Sequence, residues 1–235
     1  MILNSLELRA FRGLKGIHLK GLAPVSVVVG ANNAGKSSVL EAAALALRPL
    51  DPGQWVQVAR HRDSDLSLFD GLWNLFPGTT ALRLEDGPQT SEPLELYAEL
   101  AGRRRALAAV ATAEQRWGAN DDGDVVVCVD VTIEAGATHR FEFRKDKYAE
   151  YGSGAPAFRT FTVTPATHRS TRTLVDHLSH VVDAGQKSLA IELLRVFDPD
   201  VEDLEVSSSL NRETIRVTHR LRGVVDLSSF GDGMR

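Results

Sequence analysis

Residues 30–37 read Gly30-Ala31-Asn32-Asn33-Ala34-Gly35-Lys36-Ser37, the spacing G-x-x-x-x-G-K-[ST] of a loop that wraps phosphate groups. The chemistry open to such a loop is electrostatic. A nucleotide tail carries several negative charges. Backbone N–H groups from about Asn32 to Ser37, with the positive end of the helix that follows, can meet them without bulky side chains in the way. Gly30 and Gly35 permit the tight turn and close approach, and Asn33 tolerates a left-handed backbone. Lys36 is placed to bridge the β- and γ-phosphates, the Ser37 hydroxyl to ligate Mg²⁺, and Ser38 to reach the α-phosphate. The expected ligands are ATP and Mg²⁺. A guanine-reading Asn-Lys-x-Asp is absent, since no Asn in the chain precedes Lys.

Such a loop needs a strand to enter it and a helix to leave it. Pro24–Val29 is a short β-branched run that reads as a buried strand. From Gly35, Val39, Leu40, Ala43, Ala44 and Leu47 recur at helical spacing until Pro49 closes the segment. Upstream, alternation predicts a strand over Ile2–Leu8 and a second over Gly16–Lys20. Downstream, Ala81–Leu84, Leu94–Leu100, Val125–Glu134, Thr138–Phe143 and Phe158–Val163 read as strands, and residues 103–117 fit helix or strand. Helices are expected over Thr173–Asp183 and Gln186–Phe197, then strands near Leu204–Ser207 and Thr214–Leu221. Turn-rich stretches are Glu85–Pro93, Gly118–Gly123 and Gly152–Pro156. The fold class is α/β: a P-loop NTPase core with an antiparallel β subdomain at its edge. Residues 1–50 form the P-loop lobe, 51–165 a mainly β subdomain, and 166–235 helices, strands and a terminal loop.

The 235 residues, 43% hydrophobic and 25% charged, can bury a substantial core. Against 31 acids stand 27 Lys and Arg, so a net charge of -4 gives no global basic field for a polyanion. The charge is uneven: residues 1–50 carry six Lys or Arg and two acids, residues 51–100 three and nine. One cysteine, Cys128, excludes an intramolecular disulfide and fits a reducing cytoplasm. Glu7 and Arg9 interrupt any secretory leader, and no apolar run is long enough to span a bilayer.

The segment Leu8–Ala42 (LRAFRGLKGIHLKGLAPVSVVVGANNAGKSSVLEA) resembles the N-terminus of the SMC, RecF and OLD (overcoming lysogenization defect) class of ABC-type AAA ATPases. In that class a strand with Phe-Arg, a hairpin return and G-x-N-x-x-G-K-S-[ST] follow in this order, matched here by Phe11-Arg12 and by Asn32. The resemblance implies that Arg12 lies near the nucleotide phosphates. Leu227–Arg235 (LSSFGDGMR) resembles the signature loop of the same class. It implies that two protomers close head to tail around two nucleotides, with Ser229, Gly231 and Gly233 of one touching the γ-phosphate held by the other. It also implies a homodimer whose cycle acts on DNA or an effector protein, in DNA repair or phage defence.

The class expects an apolar strand ending in Asp-Glu after the signature helix, to hold Mg²⁺ and polarise water. Ser229-x-x-Asp232 has the form of a helix N-cap, yet three residues follow it, so the expectation is a chain cut before that strand. Catalytic residues stay unassigned, and ATPase turnover is expected only in a complete protein. Val125–Asp130 imitates such a strand but is followed by Val131 and reads as plain sheet, as does the shorter Val224–Asp226. Two other classes remain open: an ATP-binding interaction module that does not hydrolyse, and another P-loop enzyme, a GTPase or kinase.

Other groups carry weaker signals. His168 or Arg169, in Thr164–Arg172, could sense a γ-phosphate, although a helix-capping loop explains them as well. Arg212, Arg216, Arg220 and Arg222 share one parity and would share a strand face. With Arg103–Arg105 they could meet DNA phosphate, but a solvated face is the simpler reading. His177 and His180 stand one turn apart with no third metal ligand, and Phe69, Trp73 and Phe76 read as a packing stripe.

Overall fold

The computed structural model describes residues 3–60, 67–79, 81–117, 123–134, 136–144, 148–149, 171–209 and 212–230. The chain divides into two units, residues 1–161 and 162–235. No helix among the described residues is long and apolar enough to cross a membrane.

The first unit opens with β1 (Leu3–Phe11) and β2 (Leu14–Lys20), a hairpin closed by Arg12 and Gly13. Helices α1 (Lys36–Leu47), α2 (Pro52–Ala59) and α3 (Leu68–Trp73) follow. Then come β3 (Gln89–Thr90), β4 (Leu94–Leu100), β5 (Arg103–Trp117), β6 (Gly123–Ile133), β7 (Thr138–Arg144) and β8 (Tyr148–Ala149). The strands form one antiparallel sheet in the order β2-β1-β4-β5-β6-β7-β8, with β3 beside β5. Alternation decides its faces. Leu94, Leu96, Ala98 and Leu100 of β4 are buried, while Glu95, Tyr97 and Glu99 point the other way. The inward residues join Val39, Ala42 and Leu45 of α1, Trp55 of α2 and Leu72 of α3 in one apolar cluster. Trp55 stacks on Phe76 at 6.2 Å and donates its indole N–H to the Pro49 carbonyl at 2.8 Å.

The second unit pairs α4 (Thr171–Asp183) and α5 (Lys187–Arg195) with β9 (Val201–Ser209), β10 (Arg212–His219) and β11 (Gly223–Asp226). The strands form an antiparallel sheet in the order β11-β10-β9. Val175, Leu178, Val201, Leu204, Ile215, Val217, Leu227 and Phe230 make its core.

Several expectations change. Residues 103–117 resolve to strand, because β4 and β6 pair with them on both sides and Leu107, Ala109, Ala111 and Ala113 alternate inward. Alanine's helical preference loses to that pairing. Ala81–Leu84 is not a strand; its last residue begins a 3₁₀ turn, Leu84–Asp86. Pro24–Val29 is neither buried nor a strand. It has no ladder partner among the described residues, and Val25, Val27 and Val29 are 83%, 78% and 82% exposed. A β-branched run is buried only where strands flank it, and the described sheet runs through β1, β2 and β4 instead. Leu40 of α1 is likewise exposed. The four-arginine face does not form: Arg220 and Arg222 fall in the turn after β10, with Arg220 paired to Asp200 and Arg222 over the Phe230 ring. Phe158–Val163 lies outside the described residues.

Two outcomes are expected from this packing. A Cβ on Gly71 of α3 would sit 2.6 Å from the Ala59 carbonyl at the end of α2. Gly71→Ala should therefore cost about 1–3 kcal/mol in urea unfolding, from forced separation of the two helices. In β7, the Arg144 guanidinium, with help from Arg116, holds the buried Glu142 carboxylate below its usual range. A depressed folded pKa stabilises above the ordinary glutamate value of ~4.3 and loses that contribution as pH falls through the folded value. Glu142→Gln should flatten the fall in stability below about pH 4, measured by thermal melts across pH.

Candidate nucleotide site

The loop 30–35 lies at the surface between the exposed run 24–29 and α1. Its backbone carries two left-handed residues, Asn33 at φ 63° and Gly35 at φ 85°. Asn accepts that conformation through its short polar side chain. At Gly35 a larger residue is strained by the left-handed backbone, and its Cβ would lie 2.7 Å from Leu14 Cδ2 and displace that side chain. Gly35 is also the N-cap of α1 and offers no capping side chain. The first N–H groups of a helix find no intrahelical carbonyl, so this end of α1 is suited to an anion. Lys36 donates from Nζ to the Gly30 and Ala31 carbonyls at 2.9 and 2.6 Å, folding its charge back onto the start of the loop. Ser37 is exposed and Ser38 buried. Backbone donors, a cation at the loop's start and a hydroxyl at its exit are a donor set suited to a polyphosphate with a hard divalent ion.

Arg12 sits beside this loop's helix but is engaged elsewhere. It is the first residue of the two-residue β1–β2 turn, at φ 52°, where glycine and asparagine are favoured and a longer side chain costs about 1 kcal/mol or more. Its Nε lies 2.8 Å from Glu41 Oε2 on α1, with the two side chains 11% and 1% exposed. Its Nη1 and Nη2 donate to the Asn74 and Val58 carbonyls at 3.3 and 3.4 Å, and its N–H to the Leu75 carbonyl at 3.0 Å. One side chain thus ties the hairpin to α1 and to the ends of α2 and α3. The sequence reading missed Glu41. The signal was there: in KSSVLEAAALAL it is the single acid in an otherwise apolar helix.

In the second unit, Leu227–Ser229 forms a 3₁₀ turn capped by Asp226, whose side chain accepts the Ser228 N–H. Ser229 donates its hydroxyl to the Asp226 carbonyl at 2.5 Å, so the cap at this point is Asp226. Gly231, Asp232 and Gly233 lie outside the described residues, as do His168 and Arg169. His177 and His180 lie on α4, and neither belongs to the metal-type cluster found among the described residues, Asp198, Asp200 and His219. That cluster is spent internally. His219 Nδ1 accepts the Leu221 N–H at 3.1 Å, which leaves the proton on Nε2 for Asp198 at 3.2 Å, and Asp200 pairs with Arg220. The stripe of Phe69, Trp73 and Phe76 packs into the first unit's core. Of Arg103–Arg105, Arg104 bonds Glu7 and lies over the Tyr97 ring, on a face of mixed charge. In β6, Asp130 takes both arms of Arg140 at 2.7 Å, and Cys128 is buried, which pushes its thiol up.

Residues 25–122 match the family described as "AAA domain, putative AbiEii toxin, Type IV TA system". An uncharacterized protein of Methanocaldococcus jannaschii is 39% identical over 46 residues, which are 20% of this chain and 21% of that protein. The match therefore spans about a fifth of the relative's length. With the loop's sequence and backbone, the match identifies residues 25–122 as a nucleotide-binding P-loop domain of the AAA ATPase kind.

Proposed function

We propose that the chain is the ATP-binding head of an ABC-type ATPase of the OLD and RecF class. The observation that carries this is the loop itself: left-handed Asn33 and Gly35, an uncapped helix start, and Lys36 held at the start of the loop by two carbonyls. Gly30, Asn32, Asn33, Ala34, Gly35 and Lys36 surround the β- and γ-phosphates of ATP. Lys36 leaves its two carbonyls to neutralise the outer charges, and Ser37 ligates Mg²⁺. When bound, the ion would screen the charge of the phosphates. Two heads close around ATP, with Ser229, Gly231 and Gly233 reaching the partner's γ-phosphate. ATP is then the bond between heads and hydrolysis its release.

A second reading, ATP binding without hydrolysis, draws support from β6. Its apolar run Val125–Val129 leads to an acid, but Asp130 lies inside the strand, is committed to Arg140 and is followed by Val131.

Calorimetry with ATP and Mg²⁺ tests the reading. Lys36→Ala should weaken binding by about tenfold or more, and retained wild-type affinity would overturn it. Gly35→Ala should do the same while costing about 1 kcal/mol or more of stability, because the residue must leave the left-handed region or displace Leu14. Phosphate release by this chain should stay well below about 1 s⁻¹.

A further inference from the structure

We infer that Glu41 is a positioning residue of the phosphate site, and that Arg12 serves that site through its buried pair with Glu41 and not by touching phosphate. The inference rests on the nucleotide-site reading above. A carboxylate 1% exposed in an apolar helix is costly to bury, and a buried ion pair is weak as a source of stability alone. What such a pair does supply is geometry. Glu41 stands four residues after Ser37, one turn along the same face of α1. Whatever fixes the roll of the helix at Glu41 also fixes the direction of its first N–H groups and of the Ser37 hydroxyl. A shift of about 1 Å in such groups can cost on the order of a hundredfold in a site that works by preorganisation.

Arg12 is fitted to this task and fully employed in it. Its Nε lies at ion-pair distance from Glu41, while Nη1 and Nη2 each reach a carbonyl, of Asn74 and Val58, so all three guanidinium nitrogens have a partner within the protein. Its left-handed backbone aims it there, and the Leu75 carbonyl holds its N–H. The pair also has an electrostatic role. Glu41 lies roughly 6 Å along the axis from Ser37 at 1.5 Å per residue. Without Arg12 its charge would oppose the phosphates across a poorly screened interior.

The two roles for Arg12 separate in a double-mutant cycle read by ATP and Mg²⁺ binding, with melting temperatures taken in parallel. Arg12→Met and Glu41→Met should each weaken binding about tenfold, and Arg12→Met/Glu41→Met should be no weaker than either, because both act through one pair. If Arg12 contacts phosphate and Glu41 does not position the site, Glu41→Met keeps affinity within about threefold of wild type while Arg12→Met loses it, and the inference is overturned. Should Arg12→Met not fold, Glu41→Met decides alone. A loss of about tenfold or more supports the pair, and affinity within about threefold rejects it. Failure of the nucleotide site itself shows separately, as Lys36→Ala binding like wild type, and takes this inference with it.

Discussion

The β1–β2 turn holds the start of α1 by two contacts of opposite kind, and the phosphate loop takes its shape between them. Leu14 packs so closely on Gly35 that a side chain at that position would have to displace it. Two residues earlier, Arg12 forms its buried pair with Glu41. The apolar contact sets how near the hairpin approaches, and the charged one sets the rotation of the helix. Phe11, fully buried immediately before Arg12, anchors the turn in the core. Strain in the turn persists because these neighbours over-determine it.

This arrangement explains how a surface loop can be ready for a highly charged ligand. The loop need not fold on binding. Asn33 and Gly35 already hold the left-handed angles, and α1 already points its start at the concavity. On the proposed reading the reorganisation left is small: Lys36 would exchange its two backbone carbonyls for phosphate oxygens. The ammonium already makes those bonds charge-assisted, and a phosphate would add an opposite charge to them.

Much of this was legible in the sequence. The motif located the loop, and alternation located β4, β6 and β7. Helical spacing located α1, and Pro49 marked its end to within two residues. What the sequence hid was long-range. The 15 residues of β5 carry an alanine pattern that suits two conformations, and strands distant in sequence decided between them. The short helices α2 and α3 depend on local caps, Asp51 accepting from the Gly53 N–H and Ser67 from the Asp70 N–H, within a stretch too short for a periodic signal. Glu41 was visible as an oddity, but its partner is 29 positions upstream in the turn, and no local pattern joins the two.

The run before the loop carries a consequence of its own. Val25, Val27 and Val29 project from a backbone without ladder partners among the described residues, and β-branched side chains in that register suit a neighbouring strand. Proteins ordinarily blunt such an edge with charge, a bulge or proline; here Pro24 stands at one end and no charged residue lies between it and Gly30. The segment is adhesive by construction. Crowded solutions of the molecule would put that stickiness on display, as copies zip edge to edge unless a complementary extended chain reaches the valines first.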